Sequence, residues 1–373
     1  VSKRVLLLVV VLAALLAGCS TRDMSDTGSA LAPAAAGETA TALFNSTATY
    51  TPAPTETSTS TPTATLTATA TATATPTATA TATATPDPYA GLTIEDLRAR
   101  SYGGGEITVH ETMAATEAFT RLLISYPSDG LEIYGFLNVP AGEGPFPVAI
   151  VLHGYIDPEV YSTLAYTTRY ADALARAGYV TFHPNLRGYP PSDDGPNAFH
   201  VGMAIDALNL LALVRENAGQ PGPLATANAE AIGMMGHSMG GGITWRVLTV
   251  DQGVGAAILY AGMHADERAN YEQVLIWSGG SRGNTELSTP AEDLARISPA
   301  TYLEDIVAPV SIHHSIHDGT VPVAWSEELA ARMEELGKPV ELFLYQNTPH
   351  TFNGASDALF MERMVAFFDQ HLK

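Results

Sequence analysis

Ala231-Ile232-Gly233-Met234-Met235-Gly236-His237-Ser238-Met239-Gly240-Gly241-Gly242-Ile243-Thr244-Trp245-Arg246-Val247-Leu248 is the stretch on which the reading of this chain turns. Residues 231–235 are a short apolar run that reads as a buried strand, and residues 241–248 read as the start of a helix. Between them stands G-x-S-x-G, and at a strand-to-helix junction that pattern is a nucleophile elbow. The turn is tight enough to strain the serine backbone, and only glycine tolerates the crowding on either side. The result is a Ser238 hydroxyl exposed at a helix N-terminus. There, free N–H groups and the helix dipole favour a developing negative charge.

Apolar runs and helical spacings extend outward from this junction. Downstream, residues 256–260, 309–313 and 340–345 read as strands, with helices at 324–336 and 358–372. Upstream, residues 147–152 form a continuous apolar run ending at His153-Gly154-Tyr155. Residues 164–177 follow with helical spacing up to Gly178, a C-cap residue. Residues 179–182 give another central strand, and Val201, Ile205, Leu208 and Leu211 line one helical face. Runs at 119–126 and 131–139 flank Pro127-Ser128-Asp129-Gly130, a hairpin signal. Strand and helix alternate throughout, which predicts an α/β domain: a mostly parallel central sheet with helices on both faces. Ligands then gather beyond the carboxyl ends of the strands.

Every residue nominated for chemistry follows a strand. A serine hydroxyl needs a base, and the base needs an orienting partner. With an elbow, the chain order is serine, acid, histidine. Asp318 lies in the loop after the strand at 309–313, and His350 in the loop before the terminal helix. Asp293 and Asp305 are weaker candidates for the acid, because neither follows a convincing strand. The oxyanion needs two donors. One is the backbone N–H of Met239, and the other comes from the loop at His153-Gly154-Tyr155. The N–H of Tyr155 is favoured there, with its phenol as an alternative. His313, His314 and His317 cluster beside Asp318, but their spacing suits a strand running into its loop rather than a tetrahedral cage. No metal or cofactor is expected. His237, inside the elbow, reads as a packing residue.

The body resembles an α/β-hydrolase, and within that superfamily the catalytic domain of the prolyl-oligopeptidase family and its dienelactone-hydrolase-like relatives. The residues that carry the likeness are the hairpin at 127–130, His153-Gly154, Asn185-Leu186-Arg187-Gly188, Gly236 through Gly241, Asp318 with Val321-Pro322, and His350. The likeness spans nearly all of residues 119–373 and implies that Ser238, Asp318 and His350 are a catalytic triad. Asn185 stands where relatives usually have aspartate, and Ser315 replaces a usual glycine. The β-propeller that gates prolyl oligopeptidases has no counterpart in the sequence, so no size filter of that kind is expected. Residues 263–305, which include Tyr271 and Trp277, follow a strand top and suggest a small lid. Their aromatics either line an acyl or side-chain pocket or pack on the body.

The first 88 residues are of another kind. Residues 1–18 carry a charged start, an apolar run and a small-residue end, the pattern of a secretory leader. Leu16-Ala17-Gly18-Cys19 resembles the lipobox of bacterial lipoproteins, which implies a lipid on Cys19, the only cysteine of the chain. Residues 19–88 contain a Thr/Ala/Pro tract, with residues 67–76 repeated identically at 77–86. It offers no large side chain to bury and reads as a solvated stalk, with residues 89–373 as the catalytic domain. The net charge of −21 leaves −19 on residues 89–373. No basic stripe suits nucleic acid, and an acidic surface repels anionic polymers.

The expectation is therefore a serine hydrolase held by lipid at the outer face of a bacterial membrane. Its substrates would be peptides or acylated amino acids, or alternatively small acyl esters. A binding lipoprotein on a hydrolase fold whose chemistry has lapsed is the reading outside catalysis.

Overall fold

The computed structural model describes residues 87–373. The leader, Cys19 and nearly all of the Thr/Ala/Pro tract lie outside the described residues. The strands are β1 Thr108–Ala115, β2 Phe119–Ser128, β3 Leu131–Pro140, β4 Phe146–Leu152, β5 Val180–Pro184, β6 Ala227–His237, β7 Ala256–Tyr260, β8 Val310–Ser315 and β9 Val340–Tyr345. They make one sheet of order β1-β2-β3-β5-β4-β6-β7-β8-β9. The β1–β2, β2–β3 and β3–β5 pairs are antiparallel, and every pair from β5 across to β9 is parallel. The helices are α1 Ile94–Ala99, α2 Thr168–Arg176, α3 Val201–Asn217, α4 Met239–Val250, α5 Glu267–Trp277, α6 Asn284–Leu287, α7 Ala291–Ile297, α8 Val323–Glu335 and α9 Gly354–Leu372.

Side-chain alternation divides the interior into two cores. Val148, Ile150 and Leu152 of β4 join the cluster built with α3, α4 and α8, whereas Ala149 and Val151 join the one built with α2 and α9. Both faces are thus covered, which is why the parallel strands read as continuous apolar runs. The segment Ala198–Asn217 is long and apolar enough to cross a membrane, yet most of it is buried in the first core. An all-round apolar helix has that alternative explanation.

The site is positioned by the strand order. After β4 the chain adds β5 on one side, then returns through α3 to place β6 on the other. The loops after β4 and β6 therefore leave neighbouring strands in opposite directions and open a crevice between them.

Two local readings change. The hairpin turn is Asp129-Gly130 alone, with φ of 53° and 82°, so β2 runs on through Pro127 and Ser128. Asp-Gly suits the doubly positive φ of a tight hairpin turn. The helix expected at 164–177 starts only at Thr168, because Tyr166 turns inward to bond Gly154 and His237. Strand β1 and helix α1 are additions: β1 is an irregularly paired edge strand with most side chains exposed, whereas α1 is capped by Thr93 and buries Ile94 and Leu97 at helical spacing. The segment 263–305 holds α5, α6 and α7 and no strand.

Candidate active site

The elbow is as strained as its sequence demands. Ser238 has φ 54° and ψ −116°, a conformation that costs about 1–3 kcal/mol in a residue with a Cβ. A Cβ on Gly236 would land on the Gly240 carbonyl, and one on Gly240 would sit 2.5 Å from the Leu152 carbonyl oxygen. Backbone hydrogen bonds hold the strain in place. The Ser238 N–H donates to the Tyr260 carbonyl at 3.0 Å. Its own carbonyl accepts from the N–H groups of Gly241 and Met263, both at 2.9 Å. The nucleophile is fixed to β7 and to the first residue of the lid segment at once.

The loops after β8 and β9 bring the acid and the histidine together. Asp318 Oδ2 lies 2.7 Å from His350 Nδ1. Asp318 Oδ1 accepts the N–H groups of Thr320 at 2.7 Å and Val321 at 2.9 Å, which locks the carboxylate plane. Burial pushes this carboxyl up, but hydrogen bonds from His314, His350 and the Thr320 N–H outweigh it and hold it well below the usual carboxylate range. It is ionised at any pH near neutrality. Because the carboxylate can only accept, His350 carries its proton on Nδ1, which leaves Nε2 as the basic nitrogen. Asp293 and Asp305 lie elsewhere, paired with Arg296 and Arg98 respectively.

The three histidines of β8 and its loop diverge. His313 bonds Tyr345 and Ser311, and His317 Nδ1 accepts from the Asn347 N–H at 3.4 Å. His314 is fully buried; its Nε2 lies 3.1 Å from both Asp318 Oδ2 and the Val321 carbonyl, while Nδ1 meets Ser326 Oγ at 2.7 Å. It is a second donor on the same carboxylate oxygen. The reading of His237 as a packing residue is incomplete. It is buried, bonded through Nδ1 to the Tyr166 hydroxyl and through Nε2 to the His350 carbonyl at 3.3 Å. Burial, then the neighbouring His350, hold it well below histidine's ordinary value, so it stays neutral. It ties the loop carrying His350 to the elbow.

On the other side, Gly154 packs directly against the nucleophile: a Cβ there would stand 3.0 Å from Ser238 Cβ and 2.7 Å from the Tyr166 oxygen. Tyr155 and Met239 then both border a cavity of about 480 Å³ that also takes in Ser238, His350, Trp277 and Arg282. Met239 opens α4, so its N–H is one of the orphan donors of a helix start. Trp277 lines this cavity and donates from Nε1 to the Thr320 carbonyl at 3.2 Å, whereas Tyr271 is buried with Phe199 and Ile297 and packs. Asn185 donates from Nδ2 to Thr163 Oγ1 and to the Pro190 carbonyl, and an aspartate could not donate to that carbonyl. Tyr166, Met263 and Arg282 are site residues that sequence reasoning missed; no motif or spacing marks them.

Ser238, Met239, Tyr155, Asp318 and His350 thus meet at one edge of the sheet. Ser238 Oγ and His350 border the same cavity, and no hydrogen bond joins them in this state.

A sheet of this order, with a strained serine after its central strand, has the α/β-hydrolase fold. Residues 220–373 match the model of the prolyl oligopeptidase family. The chain is similar to the uncharacterized peptidase YtmA of Bacillus subtilis, at 26% identity over 61% of this chain and 85% of that protein. Its fold is shared with acylaminoacyl peptidase of Pyrococcus horikoshii, at TM-score 0.53 and 22% identity. That likeness covers 69% of this chain but only 42% of the other. The acetyl xylan esterase from Paenibacillus sp. R4 has TM-score 0.57 and 17% identity, covering 75% of this chain and 92% of that one.

Proposed function

We propose that the protein cleaves peptide or acyl-aminoacyl bonds through an acyl-enzyme on Ser238, with His350 as base and Asp318 as its orienting acid. The observation that carries this reading is the Asp318–His350 bond, which leaves Nε2 as the basic nitrogen of a ring bordering the same cavity as Ser238. On substrate binding, Nε2 takes the Ser238 proton as Oγ attacks the carbonyl carbon. Such contacts are often long before substrate arrives and tighten in the complex. The N–H groups of Met239 and Tyr155 receive the oxyanion. Collapse expels the amine, which takes the proton from His350. Water, deprotonated by the same nitrogen, then releases the acid and restores Ser238.

The match to the prolyl oligopeptidase family favours amide bonds. Hydrolysis of small acyl esters is the second reading, supported by the apolar Met239, Met263 and Val274 around the cavity. The lipobox-like end of the leader and the stalk support work outside the cytoplasm, on a lipid attached to Cys19 at the outer face of a bacterial membrane. Cys19→Ser should then release active enzyme into the soluble fraction, and retention on the membrane would refute the anchor.

Labelling with a fluorophosphonate tests the chemistry: wild type should be modified on Ser238 and Ser238→Ala should not. An unmodified wild type removes the proposal. Rates on aminoacyl anilides against p-nitrophenyl esters decide between the two readings.

A further inference from the structure

The cavity beside Ser238 has an unusual charge balance for so acidic a protein. Residues 89–373 carry a net −19, yet no aspartate or glutamate borders this cavity among the described residues. One permanent cation does. Arg282, in the loop after α5, has no carboxylate within ion-pair distance and no side-chain hydrogen bond among the described residues. Its neighbour His200 is held neutral, its pKa pushed down to about 4 by burial and then by the nearby Arg246 and Arg282. The other lid arginine that sets ion pairs, Arg296, bonds Asp87 and Asp293. Arg268 of α5 is likewise without an ion pair or side-chain hydrogen bond but does not border the cavity, so Arg282 is the guanidinium that offers this cavity unreceived N–H donors.

The Arg282 backbone is nonetheless held in place. Its backbone N–H donates to Ser278 Oγ at 3.0 Å, and its carbonyl accepts from the same hydroxyl at 3.3 Å. Trp277, one residue before Ser278, is bonded to the Thr320 carbonyl of the acid loop. The guanidinium carbon lies 5.5 Å from the centre of the Tyr155 ring. That contact puts it on the Tyr155 side of the cavity. A leaving group must face His350, which protonates it, while the carbonyl oxygen points to the N–H groups of Met239 and Tyr155. Arg282 lies against Tyr155, on the oxyanion-donor side of the cavity, and we infer that it meets the acyl portion there.

We propose that Arg282 is a specificity residue that binds a carboxylate on the acyl part of the substrate. The favoured class is an acyl group ending in a carboxylate: a dicarboxylic half-ester, or an acidic residue on the acyl side of a peptide bond. This rests on the serine-hydrolase reading of the same cavity. A planar fork of donors suits a carboxylate, and apolar Met239, Met263 and Val274 accommodate the intervening chain. Because Arg282 is exposed, the gain is modest and screened by salt.

Two matched pairs test it: mono-p-nitrophenyl adipate against p-nitrophenyl hexanoate, and the p-nitroanilides of N-acetyl-glutamate and N-acetyl-glutamine. Spontaneous hydrolysis is subtracted throughout. Wild type should favour the carboxylate member of at least one pair by about two- to fivefold in kcat/KM, and the pair that responds names the source. In Arg282→Gln the ratio should collapse to one or below; in Arg282→Lys it should be partly retained; and 0.5 M salt should shrink it in wild type. Equal rates within both pairs, or a ratio unmoved in Arg282→Gln, overturn the assignment. Fluorophosphonate labelling of wild type keeps the two readings apart. A labelled Ser238 with no carboxylate preference sinks the role of Arg282 alone, and an unlabelled one sinks the catalytic reading beneath it.

Discussion

Replacing Asp318 with asparagine keeps the shape of the site but turns the acceptor that faces two histidines into a donor, and its consequence follows from the four donors around the carboxylate. Oδ1 receives two backbone N–H groups, from Thr320 and Val321, and Oδ2 faces His350 Nδ1 and His314 Nε2. An amide NH₂ turned toward the backbone would meet two fixed donors, so the new side chain must place its oxygen there and its NH₂ toward the histidines. Histidine can answer by changing tautomer: His350 then accepts at Nδ1 and carries its proton on Nε2. That nitrogen no longer accepts the Ser238 proton. A wrong-tautomer triad loses on the order of 10⁴ in kcat, about 5 kcal/mol in barrier. The assay is kcat on a p-nitrophenyl ester together with the rate of fluorophosphonate labelling, with circular dichroism to confirm folding. Both rates should fall together. A folded Asp318→Asn enzyme within tenfold of wild type would refute the assignment of base and acid.

Other expectations follow from the same geometry. Gly154→Ala drives a methyl into the Tyr166 oxygen and Ser238 Cβ, displacing the Tyr155 N–H; kcat should fall about 100-fold with little change in KM. Glu267→Gln leaves Arg246, buried in α4 and bonded to Glu267 of α5, as an unpaired charge. Urea unfolding should report a loss of about 3–5 kcal/mol, and replacing both residues with apolar ones should cost less. The carboxyl of Asp318 is lowered in the folded state, so it binds protons less readily there than in the unfolded chain. Its contribution to stability is present above about pH 4, the ordinary unfolded value, and fades as pH falls toward the folded value. The Tm difference between wild type and Asp318→Asn should therefore shrink below about pH 4, and a constant difference would argue against the ionised, bonded carboxylate.

The central sheet was legible because its chemistry is local. Buried parallel strands such as 147–152 and 256–260 must be apolar on both faces, and the elbow needs glycine wherever its backbone meets another. Asp318 and His350 were legible from chain order and from their places after strands. The remainder depends on long-range contact. The edge strand β1 exposes both faces, so no alternation marks it. Helices α5 to α7 are short and polar on several sides. Tyr166 joins His237 across 71 positions, and Trp277 reaches Thr320 across 43. No spacing within the sequence encodes those pairings.

The Ala300 N–H donates to the Ala265 carbonyl at 2.9 Å, so the segment bearing Trp277 and Arg282 leaves and rejoins the body at almost one point. Closing a detour whose ends already touch costs a scaffold little, and lengthening it adds slowly to that cost. The part of the molecule that meets the acyl group is thus built as an exchangeable cassette. The elbow helix and the acid loop belong to a frame that grips it at Arg246–Glu267 and Trp277–Thr320, so an exchange must keep those two contacts.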